Sequence, residues 1–236
     1  MSLLAASSEG PETFNSTAGL LRLRTLVRLR WLAVFGQSLA VLGVHFILDF
    51  PLPLGACLGV IALSAWLNIF LTLRWRSSLR LAPTQAGLLL GYDVIQLALL
   101  LYLTGGLENP FAFLFLVPVT VSATSLPLKW TLWLSTIAFL CASFLAIFHL
   151  PLPWNTAAPL VLPKVYIGGM WAAIMCGVVF SSIYARRIAE EARQMSSALT
   201  AAELVLAREQ RLSALDGLAA AAAHELGTPL ATIALV

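Results

Sequence analysis

Charge is the scarcest feature of this sequence. Only 11% of its 236 residues are charged and 60% are hydrophobic, which excludes an ordinary soluble domain; no nucleic-acid partner is expected. Cysteine is scarce too. Cys57, Cys141 and Cys176 are three, an odd number, far apart and inside apolar runs. They form no disulfide framework and no C-x-x-C metal pattern, and read as small core residues. No metal is expected: His45 and His149 lie near span ends without ligand spacing and read as interface packing. A cleavable signal peptide is also missing, because the apolar run after the first arginines has spanning length and no small-residue cleavage site.

What remains is hydrophobic length. A span needs about 20 mainly apolar residues, and six stretches fit: Trp31–Phe50, Leu54–Leu73, Gln85–Thr104, Phe111–Leu126, Trp130–Leu150 and Lys164–Tyr184. The fourth is short and holds Pro118 mid-run, so a kink or tilt is expected there. Leu20 to Arg30 alternates Leu and Arg and reads as a basic interfacial segment. The net charge of +3 matters less than its placement. Arg22, Arg24, Arg28 and Arg30 precede the first span, Arg74, Arg76 and Arg80 follow the second, and Lys129 lies between the fourth and fifth. Arg186, Arg187 and Arg193 follow the sixth, while the opposite face has only Lys164. The positive-inside rule then puts both termini in the cytoplasm of a bacterial inner-membrane protein. The outer loops are too short for a folded receptor domain.

From Ser181 the composition turns to Ala, Glu, Arg and Leu, good helix formers, with no Gly or Pro before Gly217. Ile188, Ala192, Met195, Leu199, Ala202 and Leu206 follow the 4-3 spacing of a coiled-coil seam. Leu212, Leu215, Ala219, Ala222 and Leu226 repeat it in another frame, so the register breaks between Leu206 and Leu212. A parallel homodimer with a joint able to transmit a shift is the expectation. The whole is an all-α chain: residues 1–30 a cytoplasmic tail and basic segment, 31–184 a six-span bundle, 185–215 a coiled-coil signalling helix, and 216–236 the start of a dimerisation and phosphotransfer helix.

His224 is the chemical centre of that last segment. Beside it, Glu225 can accept an imidazole proton and leave the other nitrogen nucleophilic. The neutral imidazole is available near pH 7. Thr228 is four residues on, one helical turn away on the same face, where its hydroxyl can orient a water. Pro229 and Gly227 loosen the helix beside the reactive group.

The string His224-Glu225-Leu226-Gly227-Thr228-Pro229-Leu230 resembles the phosphoacceptor box of sensor histidine kinases, commonly H-E-L-R-T-P-L, with Gly227 in place of Arg. The resemblance implies that His224 takes the γ-phosphoryl of ATP and passes it to an aspartate of a response regulator. Glu225 and Thr228 would then serve kinase and phosphatase chemistry. ATP and Mg²⁺ need parts that do not follow the box here, so the sequence is expected to be a fragment of a longer kinase, inactive alone.

Gly105-Gly106-Leu107-Glu108-Asn109-Pro110-Phe111 sits between the third and fourth spans. By itself it reads as a tight connection: Gly-Gly ends a helix and Asn-Pro starts the next. Together with six spans and the Gly227 form of the box, it resembles the RegB/PrrB family of redox-responding sensor kinases, whose G-G-x-x-N-P-F segment is implicated in ubiquinone binding. The resemblance implies a regulatory ubiquinone at Gly105, Gly106, Asn109, Pro110 and Phe111. The glycines would admit a flat ring, the Asn109 amide would donate to a carbonyl and Phe111 would stack. Tyr102 and Glu108 are secondary candidates. That family's redox-active cysteine beyond the histidine has no counterpart here.

Asp93 lies inside the third span, where an acid is a functional candidate. Gln96 and Asn68 are its expected partners, and an interhelical hydrogen bond is the favoured role. These residues also support a competing reading, a six-span carrier or channel with a polar path around Asp93. A quinone-processing enzyme is a third reading, without the acid, metal and redox constellation it requires.

Overall fold

The computed structural model describes residues 23–74, 81–154 and 162–233, with side chains described as far as Leu218. Arg22, Arg76 and Arg80 lie outside the described residues, as do the side chains of His224, Glu225 and Thr228. Every regular element among the described residues is helical, as an all-α chain requires: α1 Leu23–Phe46, α2 Leu54–Arg74, α3 Pro83–Leu103, α4 Leu116–Ser125, α5 Leu128–Leu145 and α6 Lys164–Ile233. Two 3₁₀ turns, Gly106–Glu108 and Pro110–Phe115, join α3 to α4. Internal contacts divide the chain into a bundle unit, Met1–Ala189, and a helical unit, Glu190–Val236.

Five helices have the length and hydropathy of a span, α1, α2, α3, α5 and the first part of α6; a sixth apolar stretch, Pro110–Ser125, is shorter. Its form differs from the expected kinked span. Asn109 caps a 3₁₀ segment, and the regular α-helix starts only at Leu116. Pro118 therefore falls in the first turn of α4, where its missing N–H costs no intrahelical bond, and no mid-helix break is needed.

The first span also differs. The helix is already formed at Leu23, well before Trp31. Leu23, Leu26 and Arg30 are buried while Arg24 and Arg28 are exposed, so the Leu-Arg alternation is continuous with the first helix and has one face packed on the bundle. Packing runs α1 on α2, α2 on α3, and α3 on both α4 and α5. Gly87 and Gly91 on α3 leave room for Trp130 and Trp133 of α5; a Cβ at Gly91 would meet the Trp133 ring at 2.8 Å. Early in α6, Trp171 Nε1 donates to Ser143 Oγ at 3.0 Å, and Ile174 and Val178 are buried. Cys57 is buried but Cys176, expected in the core, is exposed, because α6 turns only one face to the bundle.

In the second unit, Met195, Leu199, Leu206, Leu212 and Leu215 are all exposed on the single chain. The helix runs through Gly227 and Pro229 without ending.

Candidate functional site

A cavity of about 790 Å³ opens between α1 and the α3–α4 side of the bundle. This is within the usual size range of small-molecule sites. Its walls are mainly apolar, with Leu97, Leu101, Val117 and Val121 among them. Two polar groups of residues interrupt that lining, one at each end.

At the end where α1 and α3 begin, Arg30 is 3% exposed and its Nε lies 2.9 Å from Asp93 Oδ1, with Asp93 22% exposed. This is a buried ion pair, and Nη1 and Nη2 have no hydrogen-bond partner among the described residues. The guanidinium also lies over the Tyr92 ring, 5.1 Å from its centroid, a cation–π contact. Farther along, Gln96 Nε2 donates to Gln37 Oε1 at 2.9 Å, and Gln37 Nε2 donates back at 3.4 Å. Arg30, Gln37, Asp93 and Gln96 all line the cavity.

The partners expected for Asp93 are thus corrected. Gln96 pairs with Gln37, and Asn68 Nδ2 donates to the Val27 carbonyl at 3.1 Å. Arg30, counted from the sequence as a charge outside the span, is the acid's partner. Arg30 and Gln37 are the residues that sequence reasoning missed. The available signal was the spacing of Leu23, Leu26 and Arg30, which puts the arginine on the same helical face as two core leucines.

At the other end, Glu108, Asn109, Pro110 and Phe111 line the cavity. Asn109 is the centre of its own connection. Its Nδ2 donates to Thr104 Oγ1 at 2.8 Å and to the Thr104 carbonyl at 3.1 Å, while its Oδ1 accepts from Phe111 N at 2.9 Å. Both amide hydrogens expected to meet a quinone carbonyl are therefore engaged within the loop. Gly105 and Gly106 have φ of 106° and 58°, a region glycine favours. Their Cα faces are covered by the segment after α5: a Cβ at Gly105 would run into the Leu152 side chain, and one at Gly106 would sit 2.6 Å from His149 Cγ. Neither glycine is among the cavity's lining residues, and neither is Tyr102, which stacks on Phe144 at 6.4 Å. His149 Nδ1 is 2.9 Å from the Leu150 carbonyl, and His45 Nδ1 is 3.3 Å from that of Phe50.

The backbone of His224 to Pro229 lies in α6. This puts His224 and Thr228 one turn apart in an unbroken helix.

Comparison with known proteins gives the bundle a lineage. The chain is 46% identical over 215 residues to the sensor histidine kinase RegB of Cereibacter sphaeroides, an alignment covering 91% of this chain and 46% of that protein. A second RegB sequence, from a named strain of that species, is 47% identical with the same coverage. The chain thus spans about half the length of the curated relatives it matches. No solved structure matches it. Residues 18–199 match the model of the PilS-like transmembrane domain, more than half of the chain, and the chain belongs to that family.

Proposed function

We propose that this chain is the membrane sensor region of a two-component sensor histidine kinase that responds to redox state through a membrane quinone. The observation that carries the reading is the cavity. It lies in the apolar bundle, has room for a ring with part of a prenyl tail, and has the Glu108–Phe111 segment as one wall. The sequence likeness to RegB over nearly the whole chain supports the same class.

The output is His224. Its neutral imidazole forms a bond to the γ-phosphorus of ATP while the bond to the bridging oxygen breaks and ADP leaves. Glu225 takes the imidazole proton. The nucleotide and Mg²⁺ belong to a separate domain of the full-length kinase, and the phosphoryl group passes to a cytoplasmic response regulator. Thr228 positions water for the reverse chemistry. The exposed apolar row from Met195 to Leu215 supports a homodimer, because such a seam is normally covered by a second helix. Both termini face the cytoplasm of a bacterial inner membrane, and the Gly105–Phe111 connection faces outward.

The carrier reading loses its support in the polar pairs. Asp93, Gln96 and Asn68 each have a protein partner, which accounts for them without transport. The sensor reading is tested with full-length protein in vesicles containing ubiquinone or ubiquinol. Labelling of His224 by ATP should fall with the oxidised form, which must therefore bind the two signalling states with different affinity. Equal labelling in both vesicle types would overturn the quinone input.

A further inference from the structure

We propose that Trp154, on the strap that follows α5, binds the ligand's head group: its ring stacks on the quinone and its indole N–H donates to a carbonyl oxygen. The inference rests on the quinone reading above and adds a residue from outside the Gly105–Phe111 segment.

The strap's sequence, Leu150-Pro151-Leu152-Pro153-Trp154, has the pattern of Phe50-Pro51-Leu52-Pro53-Leu54, the connection from α1 to α2. Proline holds φ at about −65°, which suits a three-residue turn. Such turns close from Leu52 N to the Phe50 carbonyl at 2.8 Å, from Leu54 N to the Leu52 carbonyl at 2.7 Å, and from Trp154 N to the Leu152 carbonyl at 2.8 Å. Both segments are thus stiff pieces of backbone at the outer end of the bundle.

The strap is seated on the Gly-Gly turn. Leu150 N donates to the Tyr102 carbonyl at 2.9 Å. A Cβ on Gly105 would run into Leu152, and one on Gly106 into His149, so the two glycines serve the close approach of this segment. The seating brings Trp154 to Phe50, with ring centroids 5.1 Å apart. Both rings line the cavity, as do Asn109, Pro110 and Phe111.

A quinone carbonyl only accepts hydrogen bonds. At this end of the cavity the described lining side chains that carry an N–H or O–H donor are those of Thr104, Asn109 and Trp154. Thr104 Oγ1 donates to the Leu100 carbonyl, and the Asn109 amide donates twice to Thr104. Trp154 Nε1 has no hydrogen-bond partner among the described residues, and the residue is 44% exposed, so a ligand in the cavity can reach it. Tryptophan is common at membrane edges without any ligand. This one is backed by a second ring and borders a cavity, and so offers a flat face with a polar handle to an aromatic-sized head group.

The test titrates this chain in nanodiscs with a short-tailed ubiquinone by isothermal calorimetry, subtracting the heats of empty nanodiscs. Infrared spectra of the bound quinone give its carbonyl stretch, and circular dichroism checks that each variant keeps its helix content. Trp154→Phe keeps a ring and removes the N–H; Trp154→Leu removes both. Trp66→Leu is the control, at a residue exposed on α2 and not among those lining the cavity. Trp154→Leu should raise Kd about tenfold or more, and Trp154→Phe about threefold with the carbonyl stretch moved to higher frequency, as loss of a donor requires. Trp66→Leu should leave Kd unchanged. Binding as tight in both Trp154 variants as in the unaltered chain, or an equal loss in Trp66→Leu, overturns the assignment of Trp154 and leaves the quinone input standing. An unmoved carbonyl stretch in Trp154→Phe overturns the hydrogen bond. No heat above that of empty nanodiscs in the unaltered chain overturns the quinone input itself, and this inference with it.

Discussion

Removing Asp93 should unfold the bundle more readily than removing Asp93 and Arg30 together. The pair's direct attraction, at 2.9 Å and an effective dielectric constant of about 20, is about 6 kcal/mol. Most of this is offset by taking both groups out of water. Loss of one partner is different. Asp93→Ala leaves the guanidinium buried with no counter-charge, which costs about 3–5 kcal/mol. Asp93→Asn restores an acceptor but not the charge and should fall at the lower end of that range. Arg30→Met/Asp93→Leu replaces both groups by apolar ones of similar bulk and should lie within about 1–2 kcal/mol of the unaltered protein.

The assay is reversible unfolding in mixed micelles, with increasing dodecyl sulfate and far-UV circular dichroism as the signal. Arg30→Met, Asp93→Leu and the double variant that combines them form a thermodynamic cycle. A coupling energy of at least about 2 kcal/mol is expected for a pair in contact. Two results would refute the reasoning: a cost below about 1 kcal/mol for Asp93→Ala, which would place the carboxylate in effective contact with water, or a double variant as unstable as the sum of the two singles.

Gly106→Ala should lower the midpoint of thermal unfolding by an amount equivalent to about 1–3 kcal/mol, because its backbone has φ of 58° and the new Cβ meets His149. Asn109→Ala should cost about 1–2 kcal/mol through loss of the cap; Asn109→Asp, which keeps the acceptor for Phe111 N but not the donors to Thr104, should recover only part of this in the same melt. Leu199→Glu, in the exposed apolar row, should shift purified protein from dimer toward monomer by mass photometry. In the full-length kinase, His224→Gln should abolish labelling by ATP. Thr228→Ala should keep labelling but slow removal of phosphate from the regulator.

Local chemistry was the legible part of this fold. The α2 range came out within one residue of its expected bounds, since Pro51 and Pro53 mark its start and a charged residue its end. The Gly105–Phe111 connection was readable as a turn because its glycines and its Asn-Pro cap act within a few residues of one another. The start of α1 was not legible, because alternating Leu and Arg fits both an interfacial strip and a helix with one buried face. The buried face is visible only in the packing of Leu23 and Leu26. The pairing of Gln37 with Gln96 spans 59 residues, beyond any local signal. The cavity was hidden for the same reason: it is a space between helices, and its two polar ends come from different parts of the chain.

The polar pairs also fix a direction that the charge distribution only implied. In lipid, helices lack a hydrophobic drive toward one another, so packing and polar contacts decide how they associate. Along α1, Arg30 precedes Gln37; along α3, their partners Asp93 and Gln96 come in the same order. The two helices therefore run parallel, as the first and third members of a serial up-and-down bundle must. The spacings are unequal: seven residues on α1 rise about 10 Å and three on α3 about 4.5 Å, a difference that long arginine and glutamine side chains can absorb. Sliding α1 by one turn, about 5.4 Å, would break both pairs together, so they hold the register of a helix with few other buried residues. Arg30 thus leaves the set of charges that orient the chain. Arg24 and Arg28 remain exposed at the same end, and the beginnings of α1 and α3 lie on one face of the bundle by side-chain pairing as well as by charge.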